Sequence, residues 1–281
     1  MTILVTGATG NVGRSVITQL LEAGASVRAT SRNPRSADLP VDVRAADLEK
    51  PESFGEALED VEKVFLFPNP AGAQGFAELA KAKGVKHIVV LSSQAAAHES
   101  YGDSPVRTLH LAVEAAVERS GIDWTFLRPG GFATNTLAWA HTIKQEGLVR
   151  LPFPDANVNS IHEADIAAVA VKALLEDGHV GAAYELTGPE SIPERRQVEL
   201  IGAAIGREIK LVELGVAEAK AQWAAHFGDF ADEKLLDSMV QMYEQATARP
   251  ADLTTVVQDL LGRPARTFAE WATDHKADFT A

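Results

Sequence analysis

Short apolar runs alternate with stretches of helical spacing along the first half of the chain. The runs are Ile3–Val5, Ser26–Thr30, Val64–Phe67, Ile88–Leu91 and Trp124–Leu127, with Val41–Ala46 as a further strand candidate. Runs with little apolar–polar alternation are buried on both faces, as in a parallel sheet. Between them, Val12, Val16, Ile17, Leu20 and Leu21 share one helical face, and Gly24 sits where a C-terminal cap belongs. Phe76, Leu79 and Ala80 start a second face that Gly84 ends. Leu109, Val113, Ala116 and Val117 make a third, closed by Gly121. Strand and helix in alternation predict right-handed βαβ units. The fold class is therefore α/β, a Rossmann-type doubly wound parallel sheet.

After Pro129 the rhythm loosens. The pattern predicts a helix over Thr134–Lys144, another over Asn159–Glu176, and a strand at Tyr184–Thr187. From Ser191 onward it is mostly helical, around Val198–Ile205 and Ala217–Gln245. This divides the chain into a dinucleotide-binding domain, 1–129 plus about 157–188, and a smaller, mainly helical C-terminal lobe, about 130–156 plus 189–281. In that lobe Trp223, His226, Phe227 and Phe230 recur at roughly helical spacing, as core packing or as a pocket lid.

Composition narrows the field. A chain of 281 residues is long enough for one α/β domain with a smaller lobe. It has no cysteine, which excludes disulfides, thiolate metal sites and a cysteine nucleophile. The formal net charge of −13 repels phosphate backbones and anionic headgroups, so neither direct nucleic-acid binding nor membrane binding is expected. No apolar run approaches the length of a membrane span, and no secretory leader pattern is visible. The expectation is a soluble cytoplasmic protein, with a homodimer as the default assembly.

The chemistry begins with Thr6-Gly7-Ala8-Thr9-Gly10-Asn11-Val12-Gly13, directly after the first strand and opening the first helix. Gly7 permits a tight turn, Gly10 lets backbone approach a pyrophosphate, and Gly13 lets the helix pack close to the sheet. The helix N-terminus offers unsatisfied N–H groups to the phosphates. After the second strand, an acidic residue would hold the ribose of NAD. Here the sequence reads Thr30-Ser31-Arg32-Asn33-Pro34, and Arg32 suits a 2′-phosphate. NADP(H) is therefore favoured over NAD(H). Asp47-Leu48 follows the third strand candidate, and two readings of Asp47 stand: an acceptor for the adenine amino group, or a cap for a helix starting near Pro51.

The motifs TGATGNVG, TSRNP, AADL, LSSQ, SGIDWTFLRPGGFATN and IHEADIAAVA together resemble the atypical short-chain dehydrogenases/reductases, in their NmrA-like branch of NADPH-dependent quinone reductases and redox-sensing regulators. The resemblance runs from Met1 to about Pro189. It implies cofactor contacts from the Gly7–Gly13 loop, Arg32, Asp47, Leu48, the Phe67-Pro68-Asn69 turn, Ser92 and Ser93, with Pro129, Gly130 and Phe132 beside the nicotinamide. Gln94, Phe132, Asn135, Trp139 and His162 are expected to face the substrate.

The Tyr-x-x-x-Lys pair of catalytic short-chain dehydrogenases is absent. In Arg107–Glu114, anchored on Glu114, the lysine position holds His110 and the tyrosine position holds Val106. Tyr101 lies upstream, with Pro105 four residues later. His110 and Tyr101 are the candidate proton donors, each against a plainer reading: a hydrogen-bonding residue without a proton role, and a surface tyrosine. His162, Glu163 and Asp165 could suggest a metal, but no further His pair or cysteine supports one. They read instead as the capped, acidic start of a helix. Three functions fit: NADPH-dependent reduction of a quinone or similar flat carbonyl compound; a non-catalytic NADP(H) sensor acting through a protein partner; or a tailoring enzyme on a polycyclic aromatic metabolite.

Overall fold

The computed structural model describes residues 2–228 and 231–280, with the side chains of His226 and Phe227 left out, so Phe230 and those two rings lie outside what is described. In chain order the elements are β1 Thr2–Val5, α1 Asn11–Glu22, β2 Ser26–Ser31, β3 Asp42–Ala45, β4 Val61–Leu66, α2 Ala73–Ala82, β5 His87–Leu91, α3 Pro105–Ser120, β6 Asp123–Pro129, α4 Ala140–Glu146, β7 Leu148–Leu151 and β8 Asn157–Val158. Then come α5 Glu163–Leu175, β9 Ala182–Leu186, β10 Ile192–Pro193, α6 Glu194–Ile205, β11 Lys210–Glu213, α7 Val216–Phe227, α8 Glu233–Ala248, α9 Val256–Leu261, α10 Phe268–Asp274 and α11 Lys276–Phe279.

The chain forms two compact units. The first is Met1–Gly130, Glu163–Leu186 and Val256–Arg263; the second is Gly131–His162, Thr187–Thr255 and Pro264–Ala281. The first unit holds a seven-stranded sheet in the order β3-β2-β1-β4-β5-β6-β9, every pair parallel. The strand order reverses between β1 and β4, the topological switch point at which such sheets bind ligands. Leu4, Val64, Leu66, Ile88, Val90 and Phe126 pack with Phe76, Ala80, Val113 and Val117 of α2 and α3 in one core cluster. Ile3, Val5, Phe65, Val89 and Leu127 alternate with them, are equally buried, and face the other side, where α5 packs on α1. A sheet apolar on both faces explains why the sequence shows runs rather than alternation. The short helix α9 returns to pack on α5 and β9 within this unit, a late excursion that the helical pattern after Ser191 does not signal.

The second unit has a core of Ile143, Val149, Leu151, Val198, Ile201, Phe268, Trp271 and Phe279. β11 runs parallel to β7 and β10 antiparallel to β8, two small sheets that the sequence pattern misses. The expected helix over Thr134–Lys144 is a tight 3-10 turn through Ala133–Trp139, and α-helix begins only at Ala140. Thr134, Asn135 and Thr136 are weak α-formers, and the Thr136 hydroxyl donates back to the Ala133 carbonyl at 2.8 Å. The helix expected from Asn159 starts at Glu163, because Ile161 is extended and bridged to Phe132. The stretch Ala217–Gln245 is two helices: Gly228 follows α7 at φ 56°, and Asp232 caps α8 by accepting the Leu235 amide at 2.7 Å.

Candidate active site

The carboxyl edge of the first unit's sheet carries most of the residues singled out from the sequence. At its β1 end the chain turns sharply. Gly7 sits at φ +60°, and a Cβ there would fall 2.7 Å from that of Phe67. A Cβ on Gly13 would come 2.3 Å from the Gly7 carbonyl oxygen, so helix and turn pack too closely for any side chain. A Cβ on Gly10 would approach only that same carbonyl, at 3.4 Å. No side chain caps α1, and its first turn holds no carboxylate. The amides of Asn11, Val12 and Gly13 are therefore the open donors of a helix N-terminus, while Thr9, Gly10 and Asn11 are exposed.

Neighbouring strands hold this loop in place. The Thr6 hydroxyl donates to the Phe65 carbonyl at 3.2 Å and accepts the Phe67 amide at 2.7 Å. This fixes Phe67, whose ring lies against Gly7 while 46% of the residue remains exposed. Arg14 donates to Thr9, Asp38 and Ala37 carbonyls at 3.2, 3.0 and 2.8 Å, tying the loop to the segment after β2. Arg14 was not singled out from the sequence, where it reads as an ordinary exposed helical arginine. Arg32, one residue past β2, is exposed and has no carboxylate partner among the described residues. Loop, open amides and unpaired guanidinium together fit a phosphorylated dinucleotide.

Other expected contacts also make local structural interactions. Asp47 Oδ1 accepts the Glu49 amide at 3.1 Å in a local turn, and the residue that precedes Pro51–Phe54 as its N-cap is Lys50. The capping reading of Asp47 is thereby corrected: three residues lie between it and Pro51, too many to reach that turn's first amides. Leu48 packs against the core of the α2–α3 face. Pro68 is half-buried, and Asn69 Oδ1 accepts the Ala71 amide at 3.0 Å. Ser93 caps a tight turn by accepting the Ala95 amide at 3.2 Å. Pro129 ends β6, and the Gly130 amide donates to the Leu186 carbonyl at 2.9 Å.

At the β5–β6–β9 end the edge is built from side chains. Ser92, 2% exposed, donates to Glu114 Oε1 at 2.5 Å. Arg128 grips Glu114 with both prongs, at 2.9 and 2.6 Å, and this hydrogen bond raises the guanidinium pKa. Beside it, Glu185 Oε2 meets His98 Nε2 at 2.6 Å and the Gln94 amide at 3.4 Å. His110 lies one turn before Glu114 on α3. Its Nδ1 is buried without a partner among the described residues, and burial lowers its pKa against the pull of Glu114. Tyr101 is 37% exposed, and burial of its ring together with the Glu185 charge raises its pKa. Val106, in the tyrosine position, is 52% exposed. Sequence reasoning missed His98, Glu185 and Arg128, because the segment after β5, β9 and β6 bring them together from positions far apart in the chain.

The remaining expected substrate contacts belong to the second unit. Phe132 pairs with Ile161, Asn135 is exposed, and Trp139 packs on that unit's core. His162 is 5% exposed, with Nε2 at 3.3 Å from Asp274 Oδ2. Glu163 and Asp165 both lie in the first turn of α5, and Asp165, in the first unit, is also fully buried against Arg263 of the segment after α9 at 2.7 Å. Among the described residues no group of three His, Asp or Glu side chains is arranged to hold a metal ion, and no helix is long and apolar enough to cross a membrane.

Comparison with known proteins agrees with this geometry. The NAD(P)H-binding family matches residues 7–177. A (4-alkanoyl-5-oxo-2,5-dihydrofuran-3-yl)methyl phosphate reductase of Streptomyces griseus is 38% identical over 99% of both chains. An NAD(P)H azoreductase of Xenophilus azovorans is 37% identical over 99% of both. Among solved structures, an NADPH-dependent quinone oxidoreductase of Escherichia coli, complexed with NADPH, superposes with a TM-score of 0.78 at 28% identity, covering 97% of this chain and 99% of that one. The chain belongs to the NAD(P)H-binding family and is an NAD(P)H-dependent oxidoreductase.

Proposed function

We propose that this protein uses NADPH to reduce a quinone or a similarly flat, electron-poor acceptor. One observation carries the reading. The sheet edge has a glycine turn and an uncapped helix start at one end, but in the tyrosine and lysine positions of α3 it has an exposed Val106 and a desolvated His110. Acceptors that take hydride readily depend least on the missing Tyr–Lys acid. Two relatives, one named for azo compounds and one for quinones, support the same class.

Arg32 supports the choice of NADPH over NADH. It stands unpaired beyond β2, where a carboxylate would instead favour the ribose diol. The open amides of α1 and the glycine loop would hold the pyrophosphate, and exposed Phe67 would lie against the cofactor. Bound there, the reduced nicotinamide supplies a hydride. The protein's own contribution is to place the acceptor and to exclude competing water. His110, kept neutral by burial, acts by hydrogen bonding rather than as an acid, and its orphaned Nδ1 would accept from a ribose hydroxyl.

The test is consumption of NADPH and of NADH with a panel of simple quinones and azo dyes, after cofactor binding has been shown by thermal shift. Quinone-dependent oxidation that favours NADPH supports the reading. Tight cofactor binding with no turnover of any acceptor refutes it and favours a sensor.

A further inference from the structure

Hydride transfer leaves a charge to be neutralised. When a carbonyl acceptor takes hydride, its oxygen becomes an anion and must gain a proton. The usual tyrosine is absent, His110 is desolvated and without a partner for its Nδ1, and Ser92 gives its proton to Glu114. The sheet edge nevertheless holds a histidine–carboxylate pair of the kind that donates protons elsewhere. His98 lies after β5, with its side chain 42% exposed and its Nε2 2.6 Å from Glu185 Oε2 at the end of β9. Gln94, also after β5, supports the same carboxylate oxygen at 3.4 Å. The other ring nitrogen, Nδ1, has no hydrogen-bond partner among the described residues.

We propose that His98, oriented by Glu185, donates the proton to the reduced acceptor. The carboxylate fixes the ring and stabilises the imidazolium, which leaves Nδ1–H for the acceptor. Ligands of such sheets bind outside the carboxyl ends of the strands, and His98, Glu185 and Gln94 all stand there. In the step, the acceptor gains the hydride with its electron pair from the reduced nicotinamide. The Nδ1–H bond of His98 breaks, an O–H bond forms on the acceptor, and neutral His98 recovers a proton from water. Glu185 stays ionised throughout. Charged or titratable groups around the pair include Tyr101 and Arg128, each of which feels the Glu185 charge, and Glu114, which Arg128 already holds.

The proposal rests on the oxidoreductase reading, and the experiment separates the two. NADPH oxidation with a quinone is followed at neutral pH for the wild type, His98→Gln and Glu185→Gln. His98→Gln should lower kcat about a hundredfold and leave KM for NADPH unchanged. Glu185→Gln should lower kcat about tenfold, again with KM for NADPH unchanged. A second readout needs no turnover: in cofactor-saturated, oxidised wild type, added hydroquinone should shift the His98 imidazole NMR signals, assigned by their loss in His98→Gln. An active wild type with an unaffected His98→Gln variant overturns the proposal and leaves the reductase reading intact. So does a hydroquinone titration that leaves the His98 signals in place. A wild type inactive with every quinone overturns both.

Discussion

The two ends of the sheet's carboxyl edge are built by different means. At the β1 end the working groups are backbone amides, exposed by two glycines that tolerate no side chain. At the β5–β6–β9 end they are side chains wired to one another: Ser92–Glu114–Arg128 in the interior and Gln94–Glu185–His98 at the rim. The first end is fixed by local chain geometry and suits a ligand part that never changes, a pyrophosphate. The second depends on long-range pairing, and its rim can vary without disturbing the cradle. Under the proposed function, binding and chemistry would fall at opposite ends of the edge, and that separation can be tested from both sides.

The largest effect should come from the interior network. Glu114→Ala leaves Arg128 half-buried without its carboxylate and Ser92 without an acceptor. We expect a loss of about 4 kcal/mol in chemical denaturation, with the residual folded protein still binding NADPH. At the cradle, Gly13→Ala forces a Cβ into the Gly7 carbonyl. It should cost about 3 kcal/mol of stability and, unlike the first change, weaken NADPH roughly a hundredfold, read by nicotinamide fluorescence. If Gly13→Ala spares affinity, the cradle is not where the cofactor binds.

A smaller effect concerns the opposite, amino-terminal edge of the same strands. Here His87 Nε2 is 2.9 Å from Thr125 Oγ1, whose own proton goes to the His179 carbonyl at 2.6 Å. The hydroxyl's proton is committed, so His87 donates from Nε2. Burial, with help from Lys63, lowers its pKa from 6.5 to about 4. Between those pH values the unfolded chain binds a proton that the folded chain refuses. Stability should therefore fall as pH drops through that window and level off below it. Urea midpoints across the window, with His87→Gln showing no such slope, check this. The smallest effect is Arg32→Ala, which should weaken NADPH about tenfold and leave NADH unchanged, a difference of about 1.4 kcal/mol. An equal loss for both cofactors would remove Arg32 from the 2′-phosphate.

The same contrast decides what was legible in the sequence. The cradle could be read because its signal is contiguous: glycines at fixed spacing between an apolar run and an amphipathic helix. The parallel sheet could be read for a similar reason, since burial of both strand faces leaves uninterrupted apolar runs. The rim could not. His98 and Glu185 stand 87 residues apart and meet only because β9 pairs with β6. His162 drew attention as a polar residue near a helix start, yet it is buried against Asp274 and beside the His275 ring. In the second unit, periodicity marked helices but not their ends. Ile161 looked like part of a helical stripe, and its backbone instead pairs with Phe132. Local pattern does not register a bridge between segments about thirty residues apart.

The central claim is that this chain transfers hydride from NADPH to a flat acceptor. Single-turnover oxidation of bound NADPH by a quinone, with and without deuterium at the transferring position of nicotinamide C4, tests it most directly. The account predicts complete oxidation within one turnover and a clear slowing by deuterium. Bound NADPH that persists after quinone is added, or oxidation indifferent to deuterium in a step shown to limit the rate, would contradict it.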